Sequence, residues 1–77
     1  MTQKDDFFEY EFKRTWNNFQ FSFLIYRSDR KYLKQLCIES IERIEYLYRN
    51  YLKLYGVSCS GYRRSYTKRI MDIYKKL

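Results

Sequence analysis

FEYEFKRTWNNFQFSFLIY, from Phe8 to Tyr26, alternates aromatic and polar residues about a central Asn17-Asn18. With the two asparagines as a two-residue turn, one side of a ribbon pairs Trp16 with Phe19, Arg14 with Phe21, Phe12 with Phe23 and Tyr10 with Ile25. The other side sets Glu9, Glu11, Lys13 and Thr15 against Tyr26, Leu24, Ser22 and Gln20. Asn accepts the positive φ of a type I′ turn, and Phe, Tyr, Trp, Ile and Thr suit a pleated surface. The pattern predicts a β-hairpin with strands at about residues 7–16 and 19–27.

The same residues carry a second periodicity. Phe8, Phe12, Trp16, Phe19, Phe23 and Tyr26 follow the four-three spacing of one helical face. A helix leaves Phe7, Tyr10, Phe21 and Ile25 on a second, mostly solvated face, and Phe19 to Ile25 is rich in residues of β preference. The hairpin is therefore the favoured reading, with a helix as its rival.

Downstream the pattern is helical. Ser28 or Asp29 is placed to cap a helix over about 29–55, with an apolar face of Tyr32, Leu33, Leu36, Ile41, Ile44, Tyr48, Tyr51, Leu52 and Tyr55. Gly56 suits the left-handed residue that stops it, with Val57 folding back onto Leu52. Ser60 is the candidate cap of a second helix over about 61–76, whose apolar face is Tyr62, Tyr66, Ile70, Ile73 and Leu77. The fold expected is thus α+β, ββαα in one small domain spanning 1–77; an all-α three-helix bundle is the alternative.

Composition narrows the function. The chain has 77 residues, 22% aromatic, with no histidine and two cysteines. Without histidine a nucleophile lacks its usual base, and the acidic residues form no convincing metal cluster, so neither enzyme activity, cofactor, metal nor small-molecule substrate is expected. Cys37 and Cys59 read as free structural thiols. A polar, acidic start and the lack of a long apolar run point to a cytoplasmic protein that does not enter the membrane.

Charge is the functional clue. The net charge is +7, and residues 56–77 alone carry six basic and one acidic side chain. On the last helix Arg64, Lys68 and Lys75 share an outer strip, with Arg69 and Lys76 on one flank. Ser60, Gly61, Arg63 and Arg64 form a candidate phosphate contact at the helix start, where the dipole, free amides and guanidinium groups favour an anion. These eight residues suit a non-enzymatic, possibly regulatory, nucleic-acid-binding protein. The alternative is a protein-docking module or inhibitor using Leu24, Tyr26, Tyr46, Leu47 and Leu54 as interface anchors. A homodimer is compatible with either.

Overall fold

The stretch around Asn17-Asn18 is helical. The computed structural model describes residues 3–56 and 58–77, with side chains described from Glu9 onward, as α1 (Gln3–Ile25), α2 (Arg30–Tyr55) and α3 (Ser60–Lys76). The expected hairpin over 7–16 and 19–27 is corrected to one continuous helix, and no strand occurs among the described residues. The architecture is an all-α three-helix arrangement.

Packing from two sides explains the outcome. Phe12 and Phe19 are fully buried, and Trp16 and Phe23 pack against the same core. Phe12 stacks on Tyr62 and Tyr66 of α3 with ring centroids 5.7 and 6.2 Å apart. One helical face of α1 thus satisfies two neighbours, whereas the inner side of a two-stranded ribbon covers a single helix. Local chemistry does not oppose this, since Thr15 and Ile25 are the only β-branched residues from Phe8 to Tyr26. Thr15 donates its hydroxyl proton to the Glu11 carbonyl at 3.0 Å, and Lys13 pairs with Glu9 one turn away at 3.0 Å. Asn17 and Asn18 are exposed, so each costs only its weak helix propensity, about 0.6 kcal/mol.

The caps of α2 act as its termini require. Asp29 accepts a hydrogen bond from the Tyr32 amide at 3.0 Å, and Gly56, at φ 63°, donates its amide to the Leu52 carbonyl at 3.0 Å. That left-handed conformation is open to glycine without the Cβ penalty other residues meet. Val57, the expected partner of Leu52 in this cap, lies outside the described residues. The cap of α3 is Cys59 rather than Ser60, and it makes no side-chain cap bond.

The buried stripe of α2 is Leu33, Cys37, Ser40, Ile44, Leu47 and Tyr51. It is rotated from the expected face, sharing Leu33, Ile44 and Tyr51 but leaving Tyr32, Leu52 and Tyr55 exposed. Contacts fix the direction of each helix. Glu11 meets Arg43, and Phe19 and Ser22 lie with Leu36 and Ser40, so α1 and α2 are antiparallel. Phe12 with Tyr62 and Trp16 with Tyr66 advance together, so α3 runs parallel to α1.

Two core groups yield expectations for stability. Thr67 Oγ1 is buried with no hydrogen-bond partner among the described residues. Thr67→Val removes that unpaired hydroxyl at nearly constant shape and should raise stability by about 1 kcal/mol in urea unfolding. Burial pushes the Tyr51 phenol from its ordinary 10.0 up to about 12. The folded state therefore holds this proton more tightly than the unfolded chain. Its contribution is complete below pH 10 and is lost as pH rises from 10 to 12, so the melting temperature should fall across that window. Tyr51→Phe should flatten that fall.

Candidate nucleic-acid interface

Helix α3 presents its inner face through Tyr66 and Ile70, both buried, and its outer face through charge. Arg64, Lys68 and Lys75 lie exposed along that outer face, and Arg69 and Lys76 are exposed on the flank nearer α1. From Arg64 to Lys75 is eleven residues, or roughly 16 Å of helix. The Arg69 guanidinium sits over the rings of Trp16 and Tyr66 at 5.5 and 5.1 Å. This contact holds its stem against the protein while the group remains accessible.

The expected anion contact at the start of α3 is only partly assembled. Gly61 and Arg64 are exposed, and Ser60 accepts a 3.3 Å hydrogen bond from Ser58. Arg63 instead turns toward α2, where it donates to the Glu45 carboxylate and lies 4.8 Å from the centroid of the Tyr48 ring. The bond to Glu45, and then its charge, raise the Arg63 pKa above the usual guanidinium range. Arg63 thus joins α3 to α2, a bond the helical pattern of α3 alone did not reveal.

The docking candidates do not form one surface. Leu47 is buried in the core and is corrected from interface residue to core residue. Leu24 and Tyr26 are exposed near the turn from α1 to α2, with Tyr26 packed on Tyr32 at a centroid distance of 4.3 Å. Tyr46 and Leu54 are exposed on the C-terminal half of α2, toward the opposite end.

Among the described residues the cations in ion pairs are Lys13, Arg43, Arg49 and Arg63, and their partners are Glu9, Glu11 and Glu45. All these residues lie toward the end formed by the start of α1, the end of α2 and the start of α3. The opposite end joins the close of α1, the start of α2 and the close of α3. There Arg27, Arg30, Lys31, Lys34, Lys75 and Lys76 are exposed and form no ion pair among the described residues. Divided at the helix midpoints, residues 15–42 and 68–77 build this half and hold eight basic and four acidic side chains, against eight and five in the remainder; the excess is sharpest on the last segment, residues 56–77, with six and one. Arg30 and Lys31 even occupy the first turn of α2, where cations oppose the helix dipole.

No protein-family model, curated protein or solved structure matches this chain. The remaining chemistry is spare. Cys37 and Cys59 are free, buried thiols whose pKa values burial pushes up, which disfavours the reactive thiolate. No group of three metal-ligating side chains gathers among the described residues. No described helix is long and apolar enough to cross a membrane.

Proposed function

We propose that this protein is a small, non-enzymatic nucleic-acid-binding protein that contacts phosphates along the outer face of α3. Arg64, Lys68 and Lys75 form the main strip, and Arg69 and Lys76 flank it. Lys31 and Lys34 extend the positive surface onto the start of α2. Lys34 shares the flank of α2 that carries Ile41, Glu45 and Tyr48, the flank that meets α3 at Arg63.

The observation that carries this reading is the exposed side of α3, where Arg64, Lys68, Arg69, Lys75 and Lys76 form no ion pair among the described residues. Among the described residues the carboxylates of Glu9, Glu11 and Glu45 pair with Lys13, Arg43, Arg49 and Arg63, while residues 56–77 carry six basic and one acidic side chain, five of the six on this exposed side. Such a surface attracts a polyanion at long range, and each neutralised phosphate releases counterions that add to the affinity. The direct test is fluorescence anisotropy of a labelled DNA duplex titrated with the protein at low and at raised salt. Binding should be strong at low salt and fall steeply as salt increases. No binding at low salt would remove the proposal.

A further inference from the structure

The bundle is not closed on every side. Trp16 and Tyr66 bring α1 and α3 together, and beyond them an apolar groove of about 320 Å³ opens, lined by Trp16, Phe19, Gln20, Phe23, Leu24 and Ile73. Leu24 on its rim is 67% exposed, and from there Phe21 (67%) and Ile25 (57%) carry exposed apolar surface round the outer face of α1. Exposed apolar groups clustered beside a groove are a recognition surface more often than scattered single ones are.

We propose that this groove receives an acidic amphipathic helix of another protein, which completes a four-helix arrangement. From Trp16 to Leu24 is eight residues, or about 12 Å, which matches the roughly 10.5 Å between anchors at i and i+7 of a docked helix. Charge selects the occupant. Arg69 already overhangs Trp16, Lys76 lies two turns further along the same flank of α3, and Arg27 is exposed in the turn just after α1. Asp72, on the outward side of α3, is the one acidic residue among 68–77. A helix with an apolar stripe and carboxylates beside it satisfies both floor and rim. A second copy of this chain fits poorly, because its corresponding surface lies at the same basic end and an isologous contact brings like charges together. A flat bilayer leaves a concave floor unfilled, and a nucleic-acid duplex has no apolar ridge to place in it. The proposal concerns the α1–α3 seam and does not use Arg64, Lys68 and Lys75 on the outer face of α3, although Arg69 and Lys76 border both surfaces.

Trp16 is the only tryptophan, so its emission reports on this groove. The probe is a synthetic helical peptide with leucines at i, i+3, i+4 and i+7 and glutamates on its remaining faces, titrated into the full chain. A saturable blue shift is expected, with affinity weaker by about tenfold or more for Leu24→Ser and for Lys76→Gln. Both side chains are exposed, so circular dichroism should show both variants folded. The proposal is overturned if the peptide causes no shift, or if Leu24→Ser binds it as tightly. It is equally overturned if a lysine-for-glutamate peptide binds as well. A shift produced by anionic vesicles or a DNA duplex but not by the acidic peptide assigns the groove to those ligands instead. Sedimentation showing a dimer whose dissociation is required before the peptide binds assigns it to a second copy.

Discussion

Phe12→Ala is expected to leave the chain largely unfolded at 25 °C, whereas Phe21→Ala should leave its thermal midpoint almost unchanged. Phe12 is fully buried between the rings of Tyr62 and Tyr66, so truncation removes a large side chain and opens a cavity. Such a change costs about 3–5 kcal/mol. A domain of this size has a total stability of about the same order, so little remains to hold it folded. Phe21 is 67% exposed and loses little on truncation. The contrast separates the helix from the hairpin, because a ribbon turned at Asn17-Asn18 places both rings on its inner side and makes both truncations costly. Far-ultraviolet circular dichroism during a melt reads both variants.

Those two phenylalanines also show where the sequence could be read and where it could not. The bounds of α2 were legible because Asp29 and Gly56 fit the requirements of its two ends. The fate of Phe8 to Tyr26 was not, since its aromatic residues satisfy periods of both 2 and 3.6. Tertiary packing decided between them by surrounding the face of Phe12, Trp16, Phe19 and Phe23 with two helices. The residues that argued for the ribbon by needing burial, Tyr10, Phe21 and Ile25, are those the helix leaves exposed. On α2 the large rings of Tyr48 and Tyr55 drew the expected stripe away from Cys37 and Leu47. Because α2 is packed from both sides, its inward face is broader than any single row of apolar residues.

The candidate interface was legible to a similar extent. Charges on the outer side of α3 are visible from helical spacing, since the opposite side must be buried. The cations at the start of α2 are more than thirty residues from Lys75, and only the alternating direction of the three helices unites them. The ion pair of Arg63 with Glu45 is hidden for the same reason.

Replacing Arg64, Lys68 and Lys75 by glutamine should weaken binding to a DNA duplex by roughly 10²–10³-fold near 0.1 M salt, the effect of losing three phosphate contacts. Replacing Lys13, Arg43 and Arg49 by glutamine removes the same net charge. It should weaken binding far less, because those side chains are already paired with carboxylates and lie off the outer face of α3. Neither set touches the core, and exposed ion pairs contribute about 0–1 kcal/mol each, so both variants should remain folded. Equal losses would show a response to net charge alone rather than to a surface.

The salt dependence of those same complexes tests the central claim most directly. The logarithm of the association constant, plotted against the logarithm of salt concentration, falls with a slope set by the number of phosphates neutralised. The α3 variant should have a slope shallower than the unmodified protein by about 2.7, and the control variant should keep the original slope. Identical slopes for all three proteins would contradict the account, because the outer face of α3 would then make no phosphate contacts.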